Sequence, residues 1–239
     1  MKTTLITGGN SGIGAAIAEM LLAQGEAVVS LGLEMPETRH DSLKGYTADL
    51  TDPADTADVA ARIATEHEIT ALVHNAGIIL PNLLPDADPQ DVLTLAQLHL
   101  AAPVALTQAL LPGMEARGSG RILFISSRAS MGMPSRSAYS ATKAGVHGLA
   151  RTWALELADK GITVNVIAPG PVLTDNFWDL VPKDGELQDK IAGGIPVKRI
   201  GTVDDIANAA GFFLDDKASF VTGQVLFVCG GASLGGLSI

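Results

Sequence analysis

Short β-branched or apolar runs at 3–7, 27–31, 45–48, 71–74, 121–126, 163–167 and 224–228 alternate with longer Ala/Leu-rich patterns at 12–24, 53–67, 89–116, 138–160 and 203–214. Brief runs of this kind suit strands buried on both faces, and the longer patterns suit the helices that cover them. Regular alternation of the two predicts an α/β fold, a doubly wound parallel sheet of about seven strands with helices on both faces. The 239 residues are ample for one large core. No linker, repeat or low-complexity tract divides them, so residues 1–239 are expected to form a single domain.

Hydrophobic residues make up 47% and charged ones 18% of the chain, as in a well-packed globular protein. A formal charge of −10 argues against nucleic acid as a partner, because a phosphate backbone needs a basic footprint. The single cysteine, Cys229, excludes an intrachain disulfide and favours a reducing compartment. With a strand-like run beginning at Thr3, no cleavable leader is expected. The most apolar stretch, 92–111, carries Gln97, His99, Pro103 and Gln108, so it reads as a buried helix rather than a membrane span. A soluble cytoplasmic protein is expected. Residues 171–196 lack a clear strand and place Phe177, Trp178 and Leu180 beside Asp175, Asp179, Lys183 and Asp184. This segment is expected to be a flap over a substrate, the alternative being a surface excursion with a short helix.

The carboxyl ends of the predicted strands carry the chemistry. Residues 7–14 read TGGNSGIG where the first strand meets the first helix. The spacing of Gly8, Gly12 and Gly14 lets backbone approach a pyrophosphate while the helix aims its N–H groups at the charge. Asp49 follows the third strand, where a carboxylate could accept the adenine amino group, and Asn75-Ala76-Gly77 follows the fourth. Tyr139 and Lys143 stand four apart on a predicted helix and so share a face. A phenol with pKa about 10 is a poor proton-transfer group at neutral pH. A cation about 4 Å away at a dielectric near 20 is worth roughly 4 kcal/mol. That predicts a Tyr139 lowered by about 3 units, into the working range of an acid/base.

Taken in order, TGGNSGIG, Asp49-Leu50, NAG at 75–77, the serines ending the fifth strand, YSATK at 139–143, NVIAPGPVLT at 165–174 and the terminal FVTGQVLFVCGG resemble the short-chain dehydrogenase/reductase family over nearly the whole chain. The resemblance implies a Rossmann-like fold, NAD or NADP as cofactor, no metal, and an alcohol–carbonyl oxidoreduction. Tyr139 would be the acid/base, Lys143 would lower its pKa and hold the nicotinamide ribose, and a serine would polarise the substrate oxygen. Gly8, Ser11, Gly12, Ile13, Gly14, Asp49, Leu50, Asn75, Ala76 and Gly77 would line the adenosine and pyrophosphate half. Pro169, Gly170, Val172 and Thr174 would serve the nicotinamide.

Several positions depart from the family pattern. Counting back from Tyr139 makes the serine Ser126, whereas counting along the strand from Arg121 makes it Ser127. Loops absorb deletions more cheaply than strands, which favours Ser127 and keeps Ser126 as the alternative. His99 stands where the family has an asparagine, and could preserve a backbone carbonyl, titrate itself, or merely fill the helix core. Gly32 occupies the place of a ribose-binding aspartate, and neither Glu34 nor Arg39 settles NAD against NADP. Cys229 replaces an aspartate and reads as a small buried hydrophobe. Arg128 could meet an anionic substrate group or be a solvated loop residue. The candidate substrates are small alcohol–carbonyl couples, among them 3-oxoacyl thioesters, sugars or polyols, and cyclic ketones, the acyl carrier being disfavoured by the negative charge. The apolar helices 89–116 and 138–160 suggest a homodimer or homotetramer.

Overall fold

A computed structural model describes residues 1–174, 177 and 185–234. Seven parallel strands form one sheet: β1 (Thr3–Thr7), β2 (Ala27–Gly32), β3 (Leu43–Thr47), β4 (Ala71–His74), β5 (Gly120–Ile125), β6 (Ile162–Pro169) and β7 (Val225–Val228). Their spatial order is β3-β2-β1-β4-β5-β6-β7. The order reverses between β1 and β4, so the crevice at their carboxyl ends is where an open α/β sheet takes a ligand.

Strand pleating sends alternate residues to opposite faces. In β5, Ile122 and Phe124 join the core under α2 (Pro53–Glu66), α4 (Ala102–Arg117) and α5 (Ser137–Leu157). Their neighbours Leu123 and Ile125 join the core on the other face, under α1 (Gly12–Ala23) and α7 (Val203–Leu214). The sheet is therefore filled on both sides, as its continuous apolar strands require. Helix starts follow ordinary capping chemistry. Asp52 accepts from the Ala54 and Asp55 amides beside Pro53, and Thr202 with Asp205 forms a capping box at α7.

The predicted helix 89–116 is helical throughout but not uniform. α3 (Pro89–Ala96) passes through a π-turn at Gln97–Ala101 into α4. Pro103 explains the turn, since it has no N–H to donate to the His99 carbonyl and its ring crowds that oxygen. By length and composition Pro89–Arg117 could cross a membrane, yet Leu98, Leu106, Leu110 and Met114 are buried in the protein core.

Within 171–196, Val172 bridges to Gly201 and α6 spans Glu186–Gly194. The expected flap otherwise falls on 175, 176 and 178–184, including Asp175, Trp178, Asp179, Leu180, Lys183 and Asp184, which lie outside the described residues.

Leu72, fully buried at the centre of β4, gives the core a direct test. Leu72→Ala should cost about 2–5 kcal/mol in urea unfolding. A loss below about 1 kcal/mol would contradict this packing.

Candidate active site

The glycine turn folds as its sequence demands. Gly8 and Gly12 adopt φ of 65° and 52°, in the left-handed region that glycine tolerates best. A Cβ on Gly14 would run into the Gly8 carbonyl and stand 2.6 Å from Asn75 Nδ2. Asn75 ties the turn to β4, its Nδ2 donating to the Thr7 and Gly8 carbonyls at 3.1 and 3.0 Å. Thr7 Oγ1 in turn accepts from the Asn75 and Ala76 amides, each at 3.0 Å. Helix α1 begins at Ser11 with no side-chain cap and no acid in its first turn, leaving its amides available to an anion.

A cavity of about 320 Å³ runs from this turn to Tyr139. Gly8, Ser11, Gly12 and Ile13 line one end with Asn75–Gly77, and Ser127, Tyr139 and Lys143 line the other, with Pro169, Gly170, Val172 and Thr174 alongside. The glycine cradle and uncapped helix fit a dinucleotide pyrophosphate. Asp49 and Leu50 are not brought into this cavity. Asp49 is exposed and accepts from the Thr51 amide and hydroxyl at 2.8 and 2.7 Å, which holds its carboxyl below the usual range. Leu50 is buried beside a much smaller hole. Asn10 accepts from Ser30 and donates to the Glu34 carbonyl, and a Cβ on Gly32 would stand 2.9 Å from its Nδ2. Gly32 thus makes room for Asn10.

Lys143 is 5% exposed, and its ammonium donates to the Ile125 carbonyl at 2.9 Å. Burial lowers its pKa to about 8. Its Nζ stands 5.7 Å from the centre of the Tyr139 ring. The expected depression of Tyr139 does not occur here. Burial of the phenol dominates and raises its pKa, opposed by a hydrogen bond with Ser127 and by the Arg136 charge. The lysine is occupied by a carbonyl instead, and desolvation of a phenolate costs more than the remaining attraction returns.

The two serines have separate partners. Ser126 is buried, donates to the Lys143 carbonyl and contacts His147 Nε2, both at 2.9 Å. Ser127 lines the cavity and reaches Tyr139, while its Oγ accepts from the Ala129 amide at 3.1 Å. Both serines border the cavity, but the Ser126 hydroxyl is committed to docking α5 on the end of β5, whereas Ser127 bonds Tyr139.

His99 is buried on the π-turn, with its ring 5.7 Å from Tyr139 and its Nδ1 2.9 Å from Thr142 Oγ1. The Thr142 hydroxyl lies 3.0 Å from the Ala138 carbonyl and 3.2 Å from that of Tyr139. Its proton goes to those acceptors, so it accepts from His99 Nδ1–H and leaves Nε2 as a bare lone pair. That Nε2 is buried and unpartnered among the described residues. Burial, aided by the Lys143 charge, drives the His99 pKa down to about 2.

Arg136, the residue immediately before α5 and three before Tyr139, also lines the cavity and was not singled out from the sequence. Arg128 does not line this cavity. Cys229 is buried against Gly170 and contacts Ser233 Oγ at 3.2 Å, a packing and hydrogen-bonding role.

A family model described as enoyl-(acyl carrier protein) reductase matches residues 8–233. The chain is 36% identical to the BbsC subunit of (2S)-[(R)-hydroxy(phenyl)methyl]succinyl-CoA dehydrogenase from Thauera aromatica, covering 97% of this chain and 94% of that one. It is 35% identical to 3-oxoacyl-[acyl-carrier-protein] reductase FabG from Escherichia coli (strain K12), covering 96% of each. A gluconate 5-dehydrogenase from Burkholderia cenocepacia J2315, solved with NADP and tartrate, superposes with a TM-score of 0.87 at 28% identity, over 98% of this chain and 96% of that one. The chain belongs to the short-chain dehydrogenase/reductase family. It is an NAD(P)-dependent oxidoreductase that interconverts an alcohol and its carbonyl compound.

The buried imidazoles set a stability profile. His74 is lowered to about 3 by burial and His99 to about 2. As pH falls below 6.5 the unfolded chain binds protons that these folded imidazoles refuse, so stability falls, by roughly 1.4 kcal/mol per pH unit for each. His99→Asn should remove one such slope, losing about 2 kcal/mol less than the parent between pH 6.5 and 5 in urea unfolding. Equal losses would show that His99 titrates normally.

Proposed function

We propose that Tyr139 exchanges the proton at the substrate oxygen, that Ser127 donates to the same oxygen, and that Lys143 holds the nicotinamide ribose. The observation that carries this reading is the convergence of all three side chains on one cavity continuous with the glycine cradle. When bound, the nicotinamide supplies or accepts the hydride. The chain's own groups do the rest. A raised Tyr139 pKa keeps the phenol protonated at neutral pH, ready to give its proton as a carbonyl becomes an alkoxide. Ser127 polarises that carbonyl, and its link to Tyr139 offers a second oxygen for the same proton. Lys143, with a pKa of about 8, can gain or lose charge near neutrality beside an incoming nucleotide.

The cofactor is NAD or NADP. The substrate is a small alcohol–carbonyl couple among polyols, sugars, ketones or 3-oxoacyl thioesters. Names among the relatives support this range, since they include a 3-oxoacyl reductase, a gluconate dehydrogenase and a levodione reductase. A shared cavity of about 320 Å³ favours a compact substrate. A flap role for the segment 171–196 is supported by Thr174 and Phe177, two of its described residues that line the cavity. Asp49 meets the adenine once nucleotide binds. The protein works in the cytoplasm as a homodimer or homotetramer, a reading supported by the family and by exposed apolar side chains such as Leu155 and Phe220. A non-catalytic sensor of the same fold is opposed by the intact tyrosine, lysine and glycine turn.

Tyr139→Phe should retain NAD(P) binding, followed by fluorescence, and lose turnover by about 10²–10⁴-fold. Retention of most activity would contradict the acid/base assignment. Gly14→Ala should instead abolish nucleotide binding, because its new Cβ meets backbone. Unchanged affinity would refute the cradle.

A further inference from the structure

The main cavity is lined by two cations, Arg136 and Lys143, and by no carboxylate among the described residues, in a chain whose net charge is −10. Lys143 is taken up by the Ile125 carbonyl. Arg136 is different. Its guanidinium donates through Nη1 to the Ser135 carbonyl and hydroxyl, at 3.2 and 2.9 Å. Among the described residues no acid pairs with it. It still acts on the site, because its charge favours ionisation of Tyr139.

The backbone that carries Arg136 is held in an unusual way. Ser135 has φ of 59°, one of two non-glycine residues with positive φ among those described. The Ser135 carbonyl accepts from the Asn82 amide at 3.1 Å, and Asn82 forms a parallel bridge with Arg136. Local strain of this kind persists only where the surroundings impose it, and it collects at functional sites. Arg136 is also the N-cap of α5, where a cation opposes the helix dipole and where no acid occupies the first turn. Fold stability alone gives no reason for an arginine at this position.

We propose that Arg136 is a specificity-determining residue that binds a carboxylate on the substrate, so that the protein acts on small hydroxy acids and their oxo acids. This inference rests on the oxidoreductase reading of the same cavity. A guanidinium matches a carboxylate as a two-pronged donor. Arg136 caps the helix that carries Tyr139 three residues on, both line the same cavity, and the Arg136 charge is felt at the Tyr139 phenol. The carboxylate that meets Arg136 therefore lies within a few bonds of the oxygen that meets Tyr139, as in a 2- or 3-oxo acid. A simple 3-oxoacyl thioester, with no free carboxylate near its oxo group, offers this arginine no such partner.

The test compares acids with their uncharged methyl esters: 2-oxobutanoate and 3-oxobutanoate against the corresponding esters, with the nucleotide-loaded wild-type protein, Arg136→Gln and Arg136→Lys. Wild type should favour at least one acid over its ester by 10-fold or more in kcat/KM. Arg136→Gln should reduce that acid/ester ratio by about 10–100-fold, chiefly through KM, and Arg136→Lys should restore part of it. Any common effect through the Tyr139 pKa cancels in the ratio. Nucleotide affinity should be unchanged in both variants. A ratio that is the same in wild type and Arg136→Gln, a wild-type preference for every ester, or a comparable loss of nucleotide affinity would each overturn the proposal. Turnover of the esters alone would overturn the carboxylate assignment while leaving the oxidoreductase reading intact. No turnover of any alcohol or ketone, with nucleotide still bound, would contradict that reading itself.

Discussion

The site depends on how α5 is fastened to the end of β5. Lys143 donates its ammonium to the Ile125 carbonyl, and Ser126 donates its hydroxyl back to the Lys143 carbonyl. These reciprocal bonds, both buried, fix the helix at the point where the strand stops. Tyr139 stands one turn earlier on the same face, and Ser127 is the next residue along the strand. The docking brings them together, and the Ser127–Tyr139 hydrogen bond then links helix and loop directly. Truncating Lys143 would strand a buried carbonyl as well as remove a charge, which is why this position couples folding to chemistry.

The second fixed point lies across the cavity. Asn75 and Thr7 tie the carboxyl end of β4 to the glycine turn after β1. Those two strands flank the place where the sheet order reverses. The crevice is held open on one side by this polar stitch and on the other by the α5–β5 clasp. Between them the lining carries positive charge and helix-terminal amides, with no acid among the described residues. An acidic protein has kept one interior surface suited to anions.

Much of this was legible from residues alone. Strand and helix order, the glycine turn and the Tyr139–Lys143 face follow from periodicity and from backbone needs that tolerate few substitutes. What was not legible depends on where side chains spend their hydrogen bonds. Lys143 at four residues from a phenol looks like its electrostatic partner until the Ile125 carbonyl is seen to take the ammonium. Ser126 and Ser127 differ by one position and both border the cavity, and only the third dimension shows that Ser126 bonds the backbone of α5 while Ser127 bonds the Tyr139 phenol. The π-turn at His99 follows from Pro103, a cause visible in the sequence whose consequence is three-dimensional. Arg136 escaped notice because its role rests on a left-handed Ser135 and on the lack of a nearby acid, which periodicity does not encode.

In the free protein, burial raises the Tyr139 pKa, and Ser127 and Arg136, not Lys143, oppose that rise. The chain has two tyrosines, and Tyr46 is pushed up to about 12, chiefly by burial. Ultraviolet titration of phenolate, with wild type and Lys143→Met both in a Tyr46→Phe background, therefore follows Tyr139 alone. The expected result is no phenolate below about pH 9 in the wild type, a Tyr139 step above 10, and little movement of that step in Lys143→Met. A phenolate forming near neutrality in the wild type and lost in Lys143→Met would contradict the account.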